Sequence, residues 1–138
     1  MEPFVVLEHP SDVGIEAQGA TVEELFSNAA RGMFTIMLGA YGTEKCVSLT
    51  LERNGRDREN LLVLWLNESL FLFETKAFVF TDASFDELSE SHLRATVFGE
   101  EFQNDKHEVQ VEIKAVTYHH LKIEEKDKIL RAQIYFDV

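Results

Sequence analysis

Between Leu61 and Glu74 the sequence reads LLVLWLNESLFLFE. At helical spacing, Leu61, Leu62, Trp65, Leu66, Leu70 and Phe73 form one broad stripe. Val63, Leu64, Phe71 and Leu72 then spread apolar surface over almost every remaining side. A helix of this kind is stable in water only when other elements cover it on several sides, so it is expected at the centre of the domain. Asp57 is placed to cap it, and the helix is expected over roughly Arg58 to Glu74. Asn67, Glu68 and Ser69 interrupt the run, which falls short of a membrane span.

The elements around it have two periods. Thr21 opens TVEELFSNAARGMFTIM, where Thr21 and Glu24 fit a capping box. Leu25, Ala29, Met33 and Ile36 follow at helical spacing, Gly32 marks a close approach to a neighbour, and Gly39 is a natural stop. Period-two alternation marks strands elsewhere. Phe4 to Glu8 and Val13 to Gln18 precede the first helix, and Val47, Leu49 and Leu51 alternate before the second. After it come a short strand in AFVFTDASF ending in a turn near Asp82, then Leu93, Ala95 and Val97. Val109, Val111 and Ile113 alternate next, followed by Leu121 and Ile123, and finally Leu130, Ala132, Ile134 and Phe136. Clean alternation fits antiparallel sheets covered on one face. The expected fold is α+β: one domain over residues 1–138, with antiparallel sheets packed on two main helices.

With 138 residues and 45% hydrophobic content the chain can bury roughly two-thirds of its unfolded surface, without disulfides or a structural metal. Cys46 is the only cysteine and reads as a small apolar filler, which favours a cytoplasmic setting. MEPFVVLEHP has no basic segment, so it does not read as a secretion signal. A net charge of −12 opposes any stable grip on a nucleic-acid backbone and suits a basic partner or a cation.

Candidate chemistry gathers at two places. YFDV carries strand-like sequence up to Val138, which would hold Asp137 and the Val138 carboxylate at one place. Asp12 stands at the mouth of the second strand. If the two strands are adjacent, three anionic groups converge, and a hard divalent cation is the natural remedy. Read from spacing alone, Asp137 is first a solvent-facing residue between Phe136 and Val138 and only second a ligand, while His9 is either a structural hydrogen-bonding group or a ligand. His119 and His120 read as neighbours on opposite faces of a strand, while His92 and His107 read as surface residues. Lys114, between apolar positions, reads as a snorkelling strand-end residue or part of a partner-facing patch. No nucleophile motif or phosphate loop accompanies them.

HPSDVGIEAQG, TVEELFSNAARGMFTIM, LLVLWLNESLFLFE, EIKAVTYHHL and AQIYFDV, in this order over nearly the whole chain, closely resemble the archease family. Its members are small acidic cofactor proteins of the GTP- and manganese-dependent RNA-splicing ligase. That resemblance implies a non-enzymatic activator of tRNA splicing, which promotes guanylylation and repeated turnover of the ligase without itself binding RNA stably or meeting a membrane. It also implies a divalent ion, calcium being the one expected, on Asp12, Asp137 and Val138. His9, Lys114 and His119 lie in family motifs and are expected to face the partner or to support the ligands. Two positions depart from the family pattern: His9-Pro10-Ser11-Asp12 replaces the usual His-Thr-Ala-Asp, and His120 replaces a common glycine. Two rival functions are a stand-alone metal-dependent hydrolase, and a general chaperone or modulator of RNA-modifying enzymes.

Overall fold

The computed structural model describes residues 2–8, 13–118 and 120–138. Two strands, β1 (Phe4–Glu8) and β2 (Val13–Gly19), lead into helix α1 (Val22–Leu38). Strand β3 (Val47–Asn54) precedes helix α2 (Arg58–Lys76). The rest is β-structure: β4 (Phe78–Leu88), β5 (His92–Glu101), β6 (Ala115–Thr117), β7 (Ile123–Lys126) and β8 (Ile129–Asp137). The predicted α+β class holds, with every strand pair antiparallel.

One sheet has the order β1-β2-β8-β6, with β7 also pairing β8, and the other the order β3-β5-β4. Both β6 and β7 run along the same edge of β8, β7 beside its beginning and β6 beside its end. Helix α1 lies against β2 and β4 and so joins the two sheets, with α2 packed beside it. Trp65 is fully buried between them, its indole N–H donating to the Phe26 carbonyl of α1 at 2.8 Å. Phe26, Phe80 and Phe85 surround that indole with ring centroids 5.1–6.4 Å away, within the range of favourable aromatic contacts.

The caps explain where the helices begin and end. Thr21 is extended and its hydroxyl accepts from the Glu24 amide at 3.1 Å, while Asp57 accepts from the Asn60 amide at 2.7 Å. Gly39, at φ 73°, closes α1, and a side chain there would meet both that conformation and the overlying Gln110 amide. Gly32 is the predicted close approach, since a Cβ would stand 2.8 Å from Ile15 Cδ1. Helix α2 runs two residues beyond the predicted Glu74 and ends on Ala77 in the left-handed region at φ 54°. Most of its apolar residues are buried, but Phe71 is 54% exposed, so the cover leaves one side open.

Three local expectations are corrected. Asp82 does not end the strand: β4 continues to Leu88, with register shifts between Phe80 and Asp82 and between Phe85 and Glu87. The carboxylate of Asp82 is held by Arg31 at 2.8 Å and Lys45 at 3.0 Å. Val109 to Ile113 alternate without forming a strand, because the amides of Gln110 and Val111 donate to the Met37 carbonyl at the end of α1, at 2.7 and 3.3 Å. His120 lies in a turn at φ 55°, not on a strand face. Among the described residues, no helix is long and apolar enough to cross a membrane.

Candidate functional site at the end of β8

Of the predicted site residues, Asp12, His9 and His119 lie outside the described residues. Asp137, Val138 and Lys114 are described, and the fold brings them to one end of the five-stranded sheet. Asp137 is the last residue of β8, and Ala115 of β6 is its register partner. The Lys114 amide donates to the Asp137 carbonyl at 2.8 Å. On the other side of β8, Val13 at the start of β2 stands opposite Phe136. The side chains of Asp137 and Lys114 are exposed, as is Val138 at 48%. Among the described residues, Asp137 has no ion-pair partner. Its carboxylate is a hard oxygen donor open to solvent, a group suited to calcium or magnesium.

Helix α2 fixes the segment that approaches this end. Asn67 Oδ1 accepts from the buried Val116 amide at 3.0 Å, and Glu59 Oε2 from the Ile123 amide at 3.1 Å. Asn60 Nδ2 donates to the Tyr118 hydroxyl, and the Arg56 guanidinium lies 5.6 Å from the Tyr118 ring centroid. These anchors, which periodicity missed, sit on both sides of the residues joining β6 to β7. Their one sequence signal is a set of polar side chains within or beside an otherwise apolar helix. A buried backbone amide without such a partner costs about 1–3 kcal/mol, so the Asn67 anchor on Val116 also supports the site's position.

A second polar cluster lies elsewhere, around Glu100, which is 3% exposed. Glu44, Cys46 and Glu100 bring ligand atoms within 4.8 Å of one another. The Lys106 ammonium, 2.7 Å from Glu100 Oε1, already supplies a cation there. Burial pushes the Glu100 carboxyl up, but the Lys106 hydrogen bond and the Glu44 amide hold it below its ordinary range. His107, expected on the surface, is buried beside it. Its Nδ1 accepts from the Gln103 amide at 3.1 Å, and its Nε2 lies 3.1 Å from the Gly42 carbonyl. That pattern makes it a neutral imidazole with the proton on Nε2, pinning two loops together. Cys46 is exposed, not a buried filler. The cluster is a structural brace, with the Glu100 charge matched by Lys106.

Comparison with known proteins agrees with the fold. The model of the Archease protein family (MTH1598/TM1083) matches residues 4–138. The protein archease of Methanosarcina mazei is 39% identical, covering 98% of this chain and 95% of its own. That of Pyrococcus furiosus is 38% identical over 85% of this chain and 84% of its own. The solution structure of Methanobacterium thermoautotrophicum protein 1598 superposes with a TM-score of 0.81 at 34% identity, covering all of both chains (100% and 100%). A Thermotoga maritima protein described as an archease and possible chaperone gives a TM-score of 0.61, covering 96% of this chain and 94% of its own. At 23% identity it speaks for the fold alone. With the family pattern matched from β1 to the end of β8, and whole-chain relatives well above 30% identity, this chain belongs to the archease family.

Proposed function

We propose that this chain activates a GTP- and manganese-dependent RNA-splicing ligase in the cytoplasm, as a non-catalytic partner that promotes ligase guanylylation and repeated turnover. Its working surface is the end of the five-stranded sheet, where Asp12, Asp137 and the Val138 carboxylate would hold a divalent ion, calcium first among the candidates. The observation that carries this reading is the β2–β8 register, in which Val13 stands opposite Phe136. Asp12 is the sequence neighbour of Val13, as Asp137 is of Phe136, and this adjacency supports placing both in one ligand set. The donors present are oxygen donors and Asp137 is exposed, which fits a hard cation better than zinc.

A bound ion supplies positive charge that lets like-charged carboxylates share one place and can accept a further oxygen ligand from a partner. The chain's own residues do the rest. Lys114 holds the Asp137 main chain through its amide, and its exposed ammonium is free to meet a partner's acidic group. Asn67, Asn60 and Glu59 keep the neighbouring segment in place. His9 and His119 would face the partner or support the ligands. The ligase keeps the covalent chemistry, and the net charge of −12 directs this chain toward protein and cation rather than toward RNA.

The test is calcium binding by isothermal titration alongside ligase activation, for wild type and Asp137→Asn. Parallel loss of both is expected. Undiminished activation by a variant that no longer binds the ion would overturn the role of the ion.

A further inference from the structure

A groove of about 460 Å³ lies between the end of α1, the second half of α2 and the irregular segment after His107. Its floor is core: Met37, Leu70 and Ile113 are 2%, 4% and 2% exposed. Phe73 forms one wall, held edge-on against Phe34 at 5.9 Å and Phe102 at 6.0 Å. Val109 and Val111 form the opposite wall, and Val109 is 47% exposed. That wall is fixed by the Gln110 and Val111 amides on the Met37 carbonyl. Such a preformed cleft loses little freedom when filled, and its volume falls within the range of about 300–1,000 Å³ typical of binding pockets.

The charge around it is one-sided. Glu74 on α2 and Glu112 on the facing segment line the groove, both exposed, and Glu108 follows just before Val109. Among the described residues, no lysine or arginine lines it. A second copy of this chain is a poor occupant, because each copy carries a net charge of −12 and would bring like charge to an acidic rim. An apolar side chain flanked by lysine or arginine satisfies both the floor and the rim.

We infer that this groove is a docking site for a basic, apolar segment of a partner protein, inserted between Phe73 and Val109 with its cations toward Glu74 and Glu112. The site needs no metal ion and goes beyond the ion-bearing end of β8, to which it is joined through Ile113 and Lys114. Ile113 lines the groove, and the amide of the next residue, Lys114, bonds the Asp137 carbonyl.

The experiment uses the full chain and two synthetic amphipathic peptides of about twelve residues, one of leucine and lysine, the other of leucine and glutamate. Methyl NMR maps where each binds, and fluorescence anisotropy gives its affinity. The lysine peptide should shift the methyls of Met37, Leu70, Val109, Val111 and Ile113, and the glutamate peptide should not. Glu74→Lys with Glu112→Lys, two exposed positions whose change spares the core, should weaken lysine-peptide binding by about tenfold or more. Shifts centred on another surface, or spread over the whole acidic face, overturn the inference. So does equal binding of the two peptides, or affinity in the double variant within about twofold of wild type. Concentration-dependent shifts of the same methyls without peptide would assign the groove to a second copy instead.

Discussion

The amide of Lys114 donates to the carbonyl oxygen of Asp137 at 2.8 Å, tying the entrance of β6 to the last residue of β8. Two stretches far apart in sequence thereby share one sheet end. The bond is a main-chain one, so it leaves the Asp137 carboxylate and the Lys114 ammonium free for chemistry or contact.

Asn67 sets the position of that end from behind. Removing its side chain as Asn67→Ala leaves the Val116 amide, in a residue only 5% exposed, without its acceptor. Urea unfolding should show a loss of about 1–3 kcal/mol. If the variant also weakens ligase activation, the loss should be partial and accompany looser packing of β6.

Ala77 closes α2 in the left-handed region at φ 54°, where a β-carbon is unfavourable. Ala77→Gly relieves that contact while keeping the Phe102 amide's bond to the carbonyl of residue 77. The expected outcome is a gain of about 0.5–1 kcal/mol in unfolding free energy, read by thermal melting.

His92 on β5 places Nε2 2.5 Å from Glu52 of β3 and Nδ1 3.1 Å from Glu87 of β4. Both ring nitrogens can donate only in the imidazolium form. The hydrogen bonds to Glu52 and then Glu87 raise the pKa above the ordinary 6.5. A raised folded-state value gives stability that is fully present below the unfolded pKa and lost as pH rises through the folded one. Wild type should therefore exceed His92→Gln in stability below the ordinary histidine pKa of about 6.5, and the gap should shrink as the pH rises above it. A gap that widens with rising pH would contradict this pairing.

Much of the fold is written locally. Thr21 and Asp57 announce the helix starts, Gly39 the end of α1, and Gly32 the close passage of α1 over Ile15. The long-range decisions are not local. Val109, Val111 and Ile113 alternate like a strand, yet their segment spends two amides on the end of α1. His107 reads as a surface residue because its partners, Gly42 and Glu100, come from other parts of the chain. Asp82 reads as a turn because nothing in its neighbourhood announces Arg31 and Lys45. The β7–β8 turn places Asp127 and Lys128 at φ 55° and 64°, without the glycine that usually advertises such a hairpin. At the candidate site, spacing alone left Asp137 undecided. Family resemblance singled it out with Asp12 and Val138 and named Lys114 as a possible neighbour, and the fold adds the bond from the Lys114 amide to the Asp137 carbonyl.

A blocked terminus offers an independent check on the ligand set. Under the proposed ligand set, which includes a carboxylate on Val138, a short Gly-Ser tail after that residue should remove one ligand without touching Asp137. Calcium affinity should fall by about tenfold or more, while the melting temperature of the ion-free protein should hardly change.

The most direct measurement is guanylylation of the cognate ligase under multiple-turnover conditions, with and without this protein, at low and at saturating divalent ion. The account predicts faster guanylylation and repeated turnover when the protein is present. That gain should grow with occupancy of its ion site and disappear with Asp137→Asn. A ligase whose guanylylation and turnover are the same with and without the protein, at every ion concentration, would contradict it.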